Sequence, residues 1–270
     1  MSHILTLSCP DRPGLVFAVT RWIAESGGNI LDSQQFTDTS DGEFFLRVHF
    51  EHSDPPYFGP VAAEHAMNFR LGVAERPMRA LVMVSTEGHC LNDLLYRQST
   101  GGLNIEIPAV VSNHEDLAKL AAAYDISFHA AVDRVEVEAL MLGLVRDLDI
   151  DVVVLARYMQ ILSDDACRAL EGRAINIHHS FLPSFKGARP YHQAHDRGVK
   201  LIGATAHYVT ADLDEGPIID QGVLRVDHRM TAADLARAGR DVESQTLSRA
   251  VQLHAESRVL RNGPRTVVFD

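Results

Sequence analysis

The sequence has little of several features that mark whole classes of protein. Its three cysteines, Cys9, Cys90 and Cys167, are far apart and odd in number, which favours a reducing compartment over a disulfide framework. No apolar run approaches the roughly 18 residues that a membrane span needs. The N-terminus also lacks the basic region and apolar core of a signal peptide. We therefore expect a cytoplasmic protein.

Positive charge is also scarce. The 270 residues contain 25 Lys and Arg against 36 Asp and Glu, for a formal net charge of −11. An acidic chain without a basic run repels phosphate backbones, so no nucleic-acid partner is expected. Hydrophobic content of 46% and charged content of 23% are those of an ordinary globular protein with a sizeable core.

The N-terminal quarter predicts a small α/β unit. Period-two alternation indicates strands, and apolar residues at three- and four-residue spacing indicate helices. The pattern predicts a strand at 3–9, a helix at 15–26, strands at 29–37 and 43–51, a helix at 60–71 and a fourth strand at 72–76. A change of character near residue 77 predicts domain boundaries at 1–76, a linker at 77–79 and a second domain at 80–270.

The second domain begins with strongly apolar strands that alternate with helices, which is typical of a parallel sheet covered on both faces. The strands are predicted at 79–84, 105–111, 127–129, 150–156 and 174–178. Two later strands, 201–209 and 218–226, are joined by a short loop and should pair antiparallel. The tail predicts a long helix at 231–258, broken near Gly239, and a last strand at 265–269.

Three polar side chains in the second domain suggest carbonyl chemistry. Asn176 and His178 share one face of a predicted strand, and in open α/β sheets ligands bind beyond the strand carboxyl ends. Asp214 lies in a later loop that turns at Gly216-Pro217. An amide can donate to an oxyanion, an imidazole can hold a proton and a carboxylate can take one from water or an amine. Taken alone, an Asn-x-His at a strand end is more often packing or capping.

The combination of three segments is more specific than any one of them. These segments are Asn176-Ile-His178, residues 203–207 and the Asp-x-Gly-Pro-like loop that ends at Pro217. This combination resembles the folate-dependent formyltransferase family, in which Asn, the His two residues later and the loop Asp form the catalytic trio. The resemblance implies catalytic roles for Asn176, His178 and Asp214. The segment 155–163 is similar to the family's folate segment. The substrate-binding residues it implies are Arg157, Met159, Gln160, Leu162, His207, Thr210 and Asp212, with Met159, Gln160 and Leu162 at the pterin. His207 either holds Asp214 or His178, or is a core residue.

Within that family the chain is similar to the formyltetrahydrofolate deformylases. The segment 84–95 lacks the glycine-rich phosphate loop of glycinamide ribonucleotide transferases, segment 180–194 is of the deformylase type, and the N-terminal domain resembles an ACT domain. The resemblance implies a βαββαβ, ferredoxin-like ACT domain and a Rossmann-like, mostly parallel formyltransferase domain. It implies hydrolysis of 10-formyltetrahydrofolate to tetrahydrofolate and formate. That reaction would balance one-carbon folate pools and supply formate for purine synthesis, without cofactor or metal.

The ACT resemblance also implies a regulatory site. Small amino-acid effectors bind such domains at a helix start and the neighbouring strand, and methionine and glycine are the first to test. The positions that match are Asp11, Arg12, Pro13, Gly14, Asn29 and Ile30. Alternatively, this loop is only a helix entry and the domain serves assembly. Because ACT domains commonly pair edge to edge, we expect a homo-oligomer.

Other functions remain open at the level of sequence. A formyltransferase with an amine acceptor is the nearest alternative. A zinc hydrolase would use His178, His179, His192, His195 and Asp214, although His192 and His195 fall on a predicted helix beyond Pro190. A catalytic Cys90 would need an activating base that the sequence does not show, and a binding protein without chemistry would not need the trio.

Overall fold

The computed structural model describes residues 1–182 and 190–270, which form two compact units. Unit 1 comprises Met1–Arg76, Glu256–Asn262 and Thr266–Asp270, and unit 2 comprises Pro77–Ala255 and Gly263–Arg265. Among the described residues, no helix is long and apolar enough to cross a membrane.

Unit 1 is built on an antiparallel sheet with strand order β2-β3-β1-β4. Its elements are β1 (Ser2–Pro10), α1 (Leu15–Glu25), β2 (Asn29–Asp38), β3 (Glu43–Glu51), α2 (Gly59–Glu64) and β4 (Asn68–Val73). Alternate residues of β1 and β3, such as Leu5, Leu46 and Val48, pack with Val19 and Ile23 of α1 in one buried cluster. Burial of these apolar side chains is the main stabilising contribution to the unit.

The predicted helix at 60–71 is wrong in its second half. Helix α2 ends at Glu64, and the chain reverses at Ala66, whose φ of 52° is left-handed. Met67, Phe69 and Leu71 then all pack on the core of unit 1. That spacing has the period of a strand, and β4 occupies 68–73 rather than the expected 72–76 because it pairs with β1.

Unit 2 contains a sheet of order β11-β10-β9-β8-β5-β6-β7. Strands β5 to β9 pair parallel, whereas β10 pairs antiparallel with both β9 and β11. This confirms a mostly parallel second domain. Its elements are β5 (Met78–Val84), α3 (His89–Ser99), β6 (Ile105–Ser112), α4 (Ala118–Ala122), β7 (Ser127–Ala130), α5 (Arg134–Asp147), β8 (Val152–Leu155), α6 (Asp164–Ala169), β9 (Ala174–His178), α7 (Pro190–Asp196), β10 (Leu201–Tyr208), β11 (Ile218–Arg225) and α8 (Ala232–Ala255).

Helix α8 is continuous, so the predicted break near Gly239 is wrong. The glycine serves packing instead. A Cβ at this position would lie 2.1 Å from the hydroxyl oxygen of Tyr191, so only glycine lets the ring of Tyr191 approach the helix backbone so closely. The cost of glycine inside a helix, about 1 kcal/mol relative to alanine, is tolerated in a helix of 24 residues.

The C-terminal segment belongs to unit 1, although the sequence assigned all of 80–270 to the second domain. Strands β12 (Val259–Asn262) and β13 (Arg265–Val268) form a hairpin. The guanidinium of Arg47, only 3% exposed, donates to the backbone carbonyl of Glu256 at 3.0 Å. Asn262 donates to the carboxylates of Asp38 and Asp41. A buried guanidinium on β3 needs such partners, and nothing in the local sequence identifies them.

Candidate active site

Strand β9 positions two of the expected catalytic side chains. Asn176 and His178 lie two residues apart on it, and both line a cavity of about 970 Å³. His178 is buried, and its Nε2 has no hydrogen-bond partner among the described residues. A buried ring nitrogen without a protein partner is costly, so this atom is available to a ligand in the cavity.

His207 fixes the amide of Asn176. The two residues pair across β9 and β10, and Asn176 Nδ2 lies 3.2 Å from His207 Nε2. His207 Nδ1 lies 2.9 Å from the carbonyl oxygen of Tyr208. A carbonyl can only accept, so Nδ1 carries the proton and Nε2 accepts from Asn176. Burial lowers the pKa of His207, which keeps it neutral. The amide nitrogen of Asn176 is therefore oriented and keeps a second N–H to donate.

Asp214 reaches the site by an indirect route. Because β10 runs antiparallel to β9, its carboxyl end lies beside the start of β9, where Val209 N donates to the Ala174 carbonyl at 2.9 Å. The following loop must therefore fold back to reach His178. Gly216 makes this possible, since a Cβ there would lie 1.7 Å from the carbonyl oxygen of Tyr208.

The returning loop brings Asp214 and His178 together. Asp214 Oδ1 lies 3.3 Å from His178 Nδ1 and 3.8 Å from His207 Nε2. The hydrogen bond from His178 is the main cause that lowers the pKa of Asp214, so this carboxyl is ionised at neutral pH. Asp214 has a left-handed φ of 58°, a conformation that costs a non-glycine residue on the order of 1–3 kcal/mol and clusters at functional sites.

The expected folate segment forms another wall of the cavity. Met159, Gln160 and Leu162 all line it, as do the unpredicted Ile161 and Leu213. Leu162 is also part of the buried core, whereas Met159, Ile161 and Leu213 are more than half exposed. Exposed apolar side chains around a concave site are typical of a surface that binds a flat apolar ligand.

Ser85 anchors this wall, and its role was missed from the sequence. It follows β5, is 2% exposed, and its hydroxyl accepts a bond of 3.0 Å from the Met159 amide N–H while donating to Asn113 Oδ1 at 2.6 Å. The folate segment is thereby tied to the ends of two strands. A serine directly after a buried strand was the available signal.

The remaining predicted substrate contacts divide into two groups. Arg157 and Thr210 line the cavity together with His207, but the guanidinium of Arg157 is engaged by His179 and Glu243. Asp212 is not among the cavity-lining residues. It is exposed, and its carbonyl accepts from Thr210 Oγ1 and the backbone of Glu215, which makes it a residue of the turn.

The expected effector residues lie in unit 1. Asp11 to Gly14 are exposed, and Gly14 precedes α1 with a φ of 94°. Arg12 donates to the carbonyl of Glu64. Ile30 contributes to a shallow depression on α1 that residues 11–14 do not line, and Asn29 is exposed. The structure therefore does not join the two halves of the expected effector site in one pocket among the described residues.

The same geometry argues against the alternative chemistries. Within 1–182 and 190–270, the group of side chains close enough to hold a metal ion is His89, Cys90 and Glu243, and it contains none of the residues of the zinc hypothesis. Burial raises the pKa of Cys90, so its thiol is a poor nucleophile. His192 and His195 lie on α7, as the sequence predicts. Of the deformylase-type segment 180–194, residues 183–189 lie outside the described residues.

Family comparisons agree with this architecture. A formyl transferase family model matches residues 78–251, and an ACT domain model matches residues 3–56. Fold and site thus define a formyltransferase-type enzyme preceded by an ACT domain.

Comparisons over the whole chain point to one enzyme class within that family. A formyltetrahydrofolate deformylase of Bacillus subtilis is 48% identical over 279 residues, covering 98% of this chain and 93% of that protein. One from a Corynebacterium species is also 48% identical, covering 99% and 98%. A crystal structure of a formyltetrahydrofolate deformylase from Pseudomonas syringae is 44% identical, with a TM-score of 0.96 and coverage of 100% and 94%. The chain belongs to the formyltetrahydrofolate deformylases, hydrolases that act on a formyl C–N bond, which confirms the expected family.

The anchoring role of Ser85 is testable. Replacing it by alanine removes the acceptor for the Met159 amide, so the folate wall should loosen and KM for the folate substrate should rise roughly three- to tenfold, the range of one net hydrogen bond. The change in kcat should be smaller, because the trio is untouched. Steady-state kinetics measure KM for Ser85→Ala and for the control Thr86→Ala, which changes the exposed neighbour. Equal KM values for the two variants would contradict the anchoring role of Ser85.

Proposed function

We propose that this chain hydrolyses 10-formyltetrahydrofolate to tetrahydrofolate and formate, with Asp214, His178 and Asn176 as the catalytic residues. The observation that supports this most directly is the contact of 3.3 Å between Asp214 and His178 beside an apolar-walled cavity. The relatives named as deformylases over nearly their whole length support the same reaction.

Asp214 acts as the general base on water. Its pKa is lowered by the hydrogen bond from His178, so it is an anion at neutral pH and can accept a proton. Water bound against this carboxylate attacks the formyl carbon while its proton passes to Asp214, directly or through another water. General base catalysis by a positioned side chain contributes typically 10²–10⁴-fold.

Asn176 and His178 stabilise the resulting oxyanion. The amide of Asn176 is oriented by neutral His207 and keeps one N–H free of that bond. In its protonated form, His178 donates from Nδ1 to Asp214 and presents Nε2–H to the oxyanion. Preorganised donors of this kind are usually the largest single catalytic contribution.

Collapse of the tetrahedral intermediate breaks the C–N10 bond. N10 is an aryl amine conjugated to a benzoyl group, so it leaves more readily than an alkyl amine, and it takes the proton that Asp214 received from water. The intermediate collapses to tetrahydrofolate and formic acid, which loses its proton to solvent and leaves as formate, so the trio returns to its starting protonation. Side chains of this chain supply both the base and the oxyanion donors, so we propose that no metal or cofactor takes part. We also propose that the enzyme acts in the cytoplasm, where its free cysteines stay reduced.

Asp214→Asn tests the role of the base. The amide keeps the size of the side chain but cannot accept a proton from water, so formate release should fall by roughly 10²–10⁴-fold while folate binding is retained. Single-turnover kinetics and equilibrium binding of tetrahydrofolate measure the two effects separately. Near-normal turnover of this variant contradicts the assignment. Asp212→Asn, in the same loop but outside the cavity wall, is the matched control.

Metal removal tests the metal-free mechanism. Dialysis against EDTA and 1,10-phenanthroline should leave kcat unchanged, because proton transfer and oxyanion stabilisation come from side chains. Loss of activity that Zn²⁺ or Fe²⁺ restores would refute the mechanism as written.

We further propose that unit 1 binds a small amino-acid effector through the loop Asp11–Gly14 and that it mediates homo-oligomer formation. The match to an ACT domain model supports this. Isothermal titration calorimetry with methionine and glycine should give saturable heat, and Arg12→Ala should weaken it. Absence of heat with either ligand, together with an unchanged rate, would leave unit 1 an assembly domain.

A further inference from the structure

A buried carboxylate that the reaction does not use lies behind the catalytic residues. Glu243, in the middle of α8, is 1% exposed. Its oxygens lie 2.8 Å from His89 Nε2, 2.5 Å from the Tyr191 hydroxyl and 3.3 Å from Arg157 Nε. Burial alone raises the pKa of Glu243, but the bond from His89, the charge of Arg157 and the bond from Tyr191 together lower it. The carboxylate is therefore an anion held by three different elements.

Arg157 connects this anion to the active site. Its Nε forms an ion pair with Glu243 at 3.3 Å, without the geometry of a hydrogen bond, and its Nη1 lies 2.5 Å from His179 Nδ1. The residue follows β8 with a left-handed φ of 66°. Such a backbone persists in a non-glycine residue only where its surroundings fix it. The fork of an arginine can bridge two acceptors at fixed geometry, which a lysine cannot do.

His179 is thereby fixed in one tautomer. Guanidinium can only donate, so Nδ1 of His179 accepts and its proton lies on Nε2. Burial, and then the charge of Arg157, lowers the pKa of His179 to about 4. Its ring stacks on that of His178, with centroids 5.2 Å apart and planes inclined by 23°. A neutral imidazole thus covers one face of the catalytic imidazole and does not compete with it for a proton near neutral pH.

A metal site is the other reading of this cluster, because ligand atoms of His89, Cys90 and Glu243 lie within 4.8 Å of one another. The guanidinium of Arg157 already lies against the same Glu243 oxygen that His89 contacts. A divalent cation would have to displace or tolerate that fixed positive charge. His89, Tyr191 and Arg157 already surround the Glu243 carboxylate without an ion.

We infer that Glu243 and Arg157 are positioning residues for hydrolysis, acting through the stacked ring of His179 to hold His178 in place. This inference rests on the proposed function, in which protonated His178 stabilises the oxyanion. The charged and titratable groups that face His179 are Arg157 after β8, His178 beside it on β9, Glu243 on α8 and Asp214 in the loop after β10.

The direct test is the titration of His179, observed by NMR of histidine-labelled full-length protein and assigned with His179→Gln. In the unaltered protein, His179 should be an Nε2–H tautomer that stays neutral down to about pH 4. Arg157→Gly suits the left-handed backbone and should fold. Without the guanidinium, His179 should titrate at a higher pH, in the direction of its ordinary value near 6.5, while burial, the larger cause, still lowers its pKa. An unchanged tautomer and titration in Arg157→Gly would overturn the inference, and this readout needs no activity.

Steady-state kinetics provide a second test of the positioning role. Glu243→Gln should lower kcat roughly tenfold with KM within about twofold, because only transition-state positioning is lost. In Arg157→Gly, the ratio of kcat at pH 6 to that at pH 8 should fall, because protonated His179 then repels the proton of His178. Asp241→Asn, an exposed carboxylate on the same helix, should match the unaltered enzyme. An intact kcat in Glu243→Gln, or stoichiometric zinc that this variant loses, contradicts the positioning role.

Discussion

The contact between Asp214 and His178 is the constraint on which the site depends. The 3.3 Å between their nitrogen and oxygen requires the loop after β10 to return across the start of β9, since β10 runs against its neighbour. That return requires a glycine at 216 and a left-handed backbone at Asp214 itself. This strained backbone places an ionised carboxylate 3.3 Å from the ring of His178, and to this pair we assign proton transfer during hydrolysis.

The other imidazoles around this pair are kept neutral mainly by burial. Burial lowers the pKa of His207 and outweighs the bond from its Nδ1 to the Tyr208 carbonyl, which raises it. The neutral ring then orients the Asn176 amide. His179 is neutral because it is buried and lies against Arg157. Neighbouring groups with pKa values pushed apart divide acid and base roles within one site. Among the described residues, His178 is the imidazole that contacts Asp214 most closely, at 3.3 Å.

Much of the fold and of the candidate site was predictable from the sequence, and the features that were missed share a physical cause. Local spacing singled out Asn176, His178 and Asp214 as candidates, because Asn-x-His on a strand and a Gly-Pro turn are short-range signals, and the family resemblance implied their catalytic roles. The alternation of buried strands and helices gave the parallel sheet for the same reason. Glu243 and Arg157 were not recognised as partners, because ion pairs between residues remote in sequence leave no periodicity. Gly239 was misread as a helix break, since the Tyr191 ring that requires it is also remote.

The central claim is that water, rather than an amine, takes the formyl group. The most direct measurement is product analysis by mass spectrometry after turnover of 10-formyltetrahydrofolate in ¹⁸O-labelled water, with and without glycinamide ribonucleotide as an amine acceptor. The account predicts one equivalent of formate per tetrahydrofolate, carrying one ¹⁸O atom, in both conditions. A formylated amine, or formate without label, would contradict it.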